Sequence, residues 1–334
     1  MSDRVIRYAR RDEKAKVVAF LRDHWDAEFS VVQSDVLFEF LYGDGERINF
    51  VLALDGEDIL ATLGVTFYDE TSPDVFLTLW KSIDKVGSSG IDLIKFVLDQ
   101  GYRSVSSVGT RKEVLVIYRM LGFKVGPLGH AVRINPEISD YRILRMNKGT
   151  DVPALCNDAP GELREVRAFS EAFSYFSQKD ACPSPFKSQL YLTKRYLEHT
   201  HYQYRVFELR RNDAIENYFV TRTVRYGDAT ALRLVDCVAD EAGFVAFAAH
   251  ADRILVSEGH EYIDLYATNF STETLSTAGF LPVSEKEGIV APNYFEPFLQ
   301  QNETKHFVTT LDRPHLYKGD GDADRPYRLN WDKA

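Results

Sequence analysis

Short runs of alternating apolar and polar residues fill most of the chain, and the runs that break this alternation fall into helical spacing. Val5 to Tyr8 predicts a short strand. Asp12 to Trp25 places Val17, Val18, Phe20 and Leu21 on one helical face. Leu37 to Leu41 continues helical until Gly43-Asp-Gly45 stops it. Ile48 to Leu54 and Ile59 to Phe67 predict two strands joined by Asp55-Gly-Glu-Asp58, a hairpin signal. Next come an apolar run, Val75 to Trp80, and a polar, glycine-containing turn, Lys81 to Gly90. The amphipathic segment Ile91 to Gln100 follows, closed by Gly101. Val105 to Val108 predicts another strand. A second helical stretch leads into Tyr118-Arg-Met-Leu-Gly122-Phe123-Lys-Val125, and Ala131 to Ile134 reads as the last strand of this first set.

Between Asn135 and Gly161 the periodicity loosens around Pro136, Gly149, Pro153 and Pro160, which places a domain boundary near Thr150. The same succession then returns. Phe186 to His199 reads as helix, and Arg205 to Leu209 and Tyr218 to Arg225 as a hairpin. Leu232 to Val238 is an apolar strand, Ala242 to Val256 a helix ending at Gly259, Tyr262 to Tyr266 a strand, and Thr272 to Ala278 a helix. Gly279 in Ala-Gly-Phe280 stands 157 residues after Gly122, and Gly259 stands 158 after Gly101. Two landmarks at nearly one offset argue for duplicated domains, residues 1–150 and 151–334. Tyr294 to Gln300 is expected to be helical, Phe307 to Leu311 a strand, and the end a polar tail.

Composition narrows the function classes. A length of 334 residues suits two domains, and 45% hydrophobic with 27% charged residues is ordinary for a globular protein. A formal charge of −10 argues against a nucleic-acid backbone partner or a cationic membrane-surface helix. No apolar run approaches a bilayer span, and the first residues lack the core of a signal peptide, so the expected compartment is the cytoplasm. Cys156, Cys182 and Cys237 are too few and too scattered for a disulfide framework or a zinc site, and are expected to be buried small hydrophobes.

The stretch from Asp74 to Arg133, in the order strand, glycine turn, helix, strand, helix, Leu-Gly-Phe, resembles the acyl-CoA-binding half of the GNAT (Gcn5-related) acyltransferases. The resemblance implies two tandem GNAT-like domains of α/β (α+β) class, each a mixed, mainly antiparallel sheet flanked by helices. It also implies acetyl-CoA, or another acyl-CoA, as cofactor and a small-molecule amine as acceptor. In the first half Lys85 fills the family's basic position and Gly90 its last glycine. Val86 and Ser88 stand where glycine is usual, and Gly87 is displaced. The cofactor set implied is Leu79, Trp80, Lys81, Lys85, Val86, Gly87, Ser88, Ser89 and Gly90, with main-chain pairing along Thr78 to Ser82. Small residues before a helix N-terminus present unpaired N–H groups to a diphosphate.

Tyr118 matches the tyrosine that protonates the leaving thiolate in many of these enzymes; an amphipathic core-edge residue is its other reading. Asp84 and Glu113 are candidate bases, with Asp236 and Asp240 beside them, and each is equally a solvated carboxylate or a helix cap. His130 reads as a structural histidine. In the second half, leucine stands at the tyrosine position and Gly243-Phe-Val-Ala-Phe247 is bulky where the first turn is small, so that half is expected to bind no CoA and to shape the acceptor groove.

A phrase from Arg195-Tyr196-Leu-Glu-His199 to Tyr204-Arg-Val206 resembles the helix-to-strand entry of GNAT-like proteins from bacterial surface-polysaccharide neighbourhoods. The tail Asp320-Gly-Asp322-Ala-Asp324-Arg325-Pro326 is similar to an ending of that group. By that likeness Arg195, Tyr196, His199, Tyr202 and Tyr204 would line a sugar site, with Asp236 as a further substrate contact; a capped amphipathic helix packing its tyrosines is their other reading. The tail fails as a calcium loop, since Arg325 stands where glycine is needed and Trp331 where glutamate is. It is expected to be a solvated, polar turn that could fold over the groove. The reading is therefore an N-acyltransferase acting on an amino sugar or nucleotide-linked sugar. The alternatives are a Fem-like aminoacyl-tRNA-dependent ligase and a degenerate binding protein without catalysis; self-association stays open.

Overall fold

A computed structural model describes residues 4–68, 74–84, 87–156, 158–177 and 185–329. In chain order the first strands and helices are β1 (Arg4–Arg10), α1 (Lys14–His24), α2 (Asp35–Tyr42), β2 (Arg47–Asp55), β3 (Asp58–Phe67) and β4 (Asp74–Ser82). They continue with α3 (Ser89–Leu98), β5 (Ser104–Thr110), α4 (Leu115–Met120), β6 (Lys124–Pro127) and β7 (Gly129–Ile134). The later half holds β8 (Glu162–Val166), β9 (Arg205–Arg211), β10 (Ala214–Tyr226), β11 (Ala229–Val238) and α5 (Glu241–Glu258). It ends with β12 (Tyr262–Ala267), α6 (Thr272–Thr277), β13 (Leu281–Pro282) and β14 (His306–Thr309). Two mixed, mainly antiparallel sheets flanked by helices result.

The strand order of the first sheet is β1-β2-β3-β4-β5-β14-β6, and that of the second is β8-β9-β10-β11-β12-β7-β13. In each, the fourth and fifth strands are parallel and the other registered pairs antiparallel. The chain divides into two compact units accordingly: Met1–Gly126 with His306–Asp312 and Asp320–Ala334, and Pro127–Lys305 with Arg313–Gly319. A boundary near Thr150 presumes consecutive halves, whereas these units interleave along the chain.

Strand β7 corrects the sequence reading. Ala131 to Ile134 does not close the first sheet; it pairs with β12 and β13 in the second. Its side chains explain the choice. Arg133 reaches Asp252 on α5 and the Ala278 carbonyl, while His130 stacks on Tyr266 at 3.8 Å and lies 3.5 Å from Asp264. Burial lowers the His130 pKa, which fits a structural histidine. The sixth place in the first sheet goes to β14, whose Val308 joins the Val105 and Leu115 core.

Alternation places the cores of the first unit. Val51, Ala53, Leu63, Val65 and Leu77 face Leu93, Ile94 and Val97 of α3. The opposite face sets Phe50, Leu52, Leu54 and Leu79 against Val17 and Leu21 of α1 and Leu37 and Phe38 of α2. Each such fully buried side chain contributes roughly 1.5–3 kcal/mol. In the second unit Phe219, Phe244, Phe247 and Leu265 form the core beneath α5, which Asp240 caps and Gly259 ends in the left-handed region at φ 67°.

Three further expectations change. Tyr294 to Gln300 is a small hairpin, with Tyr294 opposite Leu299 and Phe295 opposite Phe298, because Pro297 lacks the N–H a helix interior requires. The tail is not solvated. Asp320, Asp322 and Asp324 are buried, Tyr68 Oη donates to Asp320 at 3.1 Å, Tyr42 Oη donates to Asp322 at 2.9 Å, and Arg325 Nε reaches Asp322 at 2.9 Å. Cys237 is buried as expected, but Cys156 is exposed; Cys182 lies outside the described residues. Among the described residues no helix is long and apolar enough to cross a membrane, and no cluster of three or more His, Cys, Asp or Glu could hold a metal.

Candidate functional site

The site in the first unit begins with a break in strand pairing. β4 lies parallel to β5 only over Asp74–Phe76 against Ser104–Ser106. Beyond that, β5 continues along β14 and the two strands part. On its other side β4 carries a bulge: Thr62 pairs with Lys81 but Gly64 with Thr78. Leu79 sits there at φ 39°, a left-handed conformation that costs a non-glycine residue on the order of 1–3 kcal/mol. Burial of its side chain against the α1 and α2 core offsets that cost. Among the described residues, no main-chain segment pairs with Leu77–Lys81 on the edge that faces β5. The result is a wedge with an open strand edge.

At the end of the wedge stands the first turn of α3. Trp80 Nε1 donates to the Gly90 carbonyl at 2.9 Å, fixing the strand to the helix. A Cβ on Gly90 would lie 3.0 Å from Trp80 Nε1 and 3.2 Å from Ser82 Cβ. Ser88 is the residue before the helix, yet its hydroxyl does not cap it; it donates to Asp92 instead. Asp84 takes the anion's place. Its carboxylate accepts from Gly87 N at 2.7 Å, Ser89 Oγ at 2.6 Å and Arg4 Nη2 at 3.2 Å. Tyr118 closes the inner side, 2% exposed, with its ring edge-on to Trp80 at 5.6 Å and to Phe123 at 5.2 Å. Burial pushes its hydroxyl pKa up, so the phenol stays protonated and is a weaker acid than an exposed tyrosine.

No family model matches the sequence, and no curated protein matches it. Among solved structures, a GCN5-related N-acetyltransferase from Anabaena variabilis matches at TM-score 0.57 and 12% identity, covering 92% of this chain and 72% of the other. An Enterococcus faecalis protein of unknown function, described as a probable N-acyltransferase, matches at TM-score 0.54 and 12% identity, covering 93% and 72%. The chain has the GNAT fold. Within that fold the structure brings Leu79, Trp80, Ser88, Ser89, Gly90 and Tyr118 to one wedge. Glu113 lies exposed in the single turn before α4, and Lys81 is half-buried at the end of β4. Lys85 and Val86 lie outside the described residues.

Of the residues expected to contact a sugar, all in the second unit, Arg195, Tyr196 and Asp236 are buried and His199 is half-buried. Asp236 is fully buried, ion-paired to Lys187 and accepting from Tyr196 Oη at 2.6 Å. Arg195 Nε donates to the Gly319 carbonyl at 3.2 Å. His199 Nδ1 accepts from the main-chain N–H of His201 at 3.0 Å and Tyr202 at 2.9 Å. These contacts make a packed internal network rather than an open sugar site. Sequence reasoning missed Lys187, Lys318 and the pair of Arg233 with Asp264, because isolated basic residues carry no periodic mark.

Asp84 offers a direct test. A carboxylate at the helix start repels a diphosphate brought to the same N–H groups. If the wedge takes acyl-CoA, as proposed below, Asp84→Asn should tighten its binding about threefold to tenfold in calorimetric titration, roughly 0.6–1.4 kcal/mol. A fall in turnover of about 100-fold with affinity unchanged would instead assign Asp84 the base's role.

Proposed function

We propose that the protein is an acyl-CoA-dependent N-acyltransferase whose cofactor lies in the wedge of the first unit. One observation carries this: the parting of β4 from β5 at a bulge, which leaves the Leu77–Lys81 edge open for a pantetheine arm to pair as an added strand. The residues fit the group. Gly90 lets Trp80 and Ser82 of the strand pack directly on the helix start, and Ser88 and Ser89 beside it are small and polar. When bound, acyl-CoA supplies an acyl thioester, and acetyl is the expected acyl group.

The chain's own groups then have assignable work. Main-chain groups of Leu79 to Lys81 orient the thioester along β4 and polarise its carbonyl. The acceptor nitrogen bonds to the acyl carbon as the carbon–sulfur bond breaks. Tyr118 gives its hydroxyl proton to the leaving sulfur, and a base takes one from the nitrogen. No cysteine or serine nucleophile is required for direct attack. The finer reading, an amino sugar or nucleotide-linked sugar acceptor in surface-glycan assembly, draws only on the sequence likeness of the Arg195–Val206 phrase and the Asp320–Pro326 tail, not on their side chains, several of which are buried. The expected setting is the cytoplasm, without nucleic-acid or membrane partners.

A thermal-shift titration with acetyl-CoA and CoA tests the reading: both should raise the melting temperature, and no shift at millimolar ligand would leave a binding protein without cofactor. Tyr118→Phe should lower turnover about 100-fold or more while changing CoA affinity by less than about twofold. Unchanged turnover would remove Tyr118 from the chemistry. A panel of amino sugars, nucleotide-linked amino sugars and simple amines would set the acceptor class.

A further inference from the structure

The second unit has the same wedge, and there the chain itself lies in it. β11 and β12 are parallel over Leu232–Leu234 against Ile263–Leu265 and then part. A bulge sits at Val235, since Val220 pairs with Asp236 but Thr221 with Leu234. One edge of β12 is taken by β7 as far as Ala267 opposite Gly129, so any second partner of Ala267 must lie on the edge facing β11. That partner is Tyr317, in an antiparallel bridge. Thr268 N donates to the Leu316 carbonyl at 3.1 Å, and Leu316 N donates to Thr268 Oγ1 at 2.9 Å. From the other side, Gly319 N donates to the Val235 carbonyl at 2.7 Å, at the bulge itself. Leu316–Gly319 thus joins the separated ends of β11 and β12.

The seat is built for this segment. Leu316 and Tyr317 are buried, and Lys318 Nζ donates to Asn293 Oδ1 at 2.8 Å. A Cβ on Gly319 would stand 2.3 Å from Tyr196 Oη and 2.8 Å from the Val235 carbonyl, so only glycine passes. Arg195 holds the Gly319 carbonyl, and Asp236, one residue past the bulge, fixes Tyr196 and Lys187.

We infer that Leu316–Gly319 is a built-in occupant of the second unit's cofactor wedge, a peptide standing where a pantetheine arm would pair, so that the chain takes one acyl-CoA and its second wedge is closed from within. The shared strand order, not the transfer reaction, equates the two wedges. Arg195, Tyr196 and Asp236 are then positioning residues for the occupant.

Calorimetric titration of the full chain with CoA should saturate at one equivalent, with the Thr268 amide protected from hydrogen exchange with or without ligand. Gly319→Val should speed exchange at Thr268 about tenfold or more, and millimolar pantetheine should slow it again. Thr268→Val, which removes the hydroxyl that receives Leu316 N–H, is the milder variant should Gly319→Val not fold; faster exchange at Leu316, reversed by pantetheine, is expected there. Two CoA per wild-type chain, or no effect of pantetheine on exchange in either variant, would overturn the assignment. Zero CoA equivalents would overturn the first unit's reading alone, since the pantetheine arm still decides the strap.

Discussion

Gly90→Val is expected to weaken acyl-CoA binding about 100-fold while the protein stays folded. The new Cβ would begin 3.0 Å from Trp80 Nε1 and 3.2 Å from Ser82 Cβ, distances at which the neighbours must give by a few tenths of an ångström. Trp80 is held by its own hydrogen bond to the Gly90 carbonyl, so relief comes from moving the indole or tilting the first turn of α3. Either movement disturbs the N–H groups and the strand edge on which the cofactor would rest. Valine is also a better helix residue than glycine, which offsets part of the crowding in the folded state. The expected outcome is a loss of affinity of about 100-fold, roughly 2.7 kcal/mol, with a melting temperature within a few degrees of wild type. Affinity within about threefold of wild type would place the cofactor elsewhere.

The largest stability effect is expected at Asp264. Arg233 is 1% exposed and Asp264 fully buried. The guanidinium donates to Asp264 through Nε at 2.9 Å and Nη2 at 2.7 Å, and also to the Asn293 carbonyl through Nη1 and the Pro292 carbonyl through Nη2, each at 2.9 Å. Asp264→Ala leaves that charge buried without its counter-ion, a loss on the order of 3–5 kcal/mol. At about 2–4 °C per kcal/mol for a unit of this size, the melting temperature should fall by about 10 °C. The double variant Arg233→Met, Asp264→Leu should recover much of it. The effect also has a pH signature. Burial by itself would raise the Asp264 pKa, but the charge and hydrogen bonds of Arg233 and the contact with His130 bring it down to about 2. A carboxyl with a depressed folded pKa contributes stability above its unfolded value, near 4, and loses it as pH falls toward 2. The gap in melting temperature between wild type and Asp264→Ala should therefore narrow across that interval. A gap that stays constant would mean that the pair does not supply the stability.

Much of the fold was legible because it rests on local regularities. The strand alternation of β2 and β3, the stripe of α1, the Asp55–Asp58 hairpin and the Gly259 stop are short-range consequences of burial and backbone freedom. What stayed hidden depends on partners far along the chain. Nothing within Gly129–Ile134 says which sheet will take it; Asp252, which receives Arg133, is 119 residues away. The tail carboxylates read as solvated because aspartate usually is, whereas Tyr68, Tyr42 and Arg325 make the burial of Asp320 and Asp322 tolerable. The bulge that opens the wedge could not be read, since a leucine gives no sign of a positive φ. The same holds for Arg195, Tyr196 and Asp236. Their grouping was visible, and their inward orientation was not.

The interleaving of the two sheets has a further consequence, in the order of events during synthesis. β5 leaves the ribosome early, but its neighbour β14 is nearly two hundred residues later. At roughly 5–20 residues per second the exposed edge of β5 waits on the order of 10 to 40 seconds for its partner. Over that interval the newborn chain carries an unpaired, β-branched margin able to capture another strand. A chain cut short before His306 would keep that margin permanently, so premature termination should yield aggregates rather than a working first half.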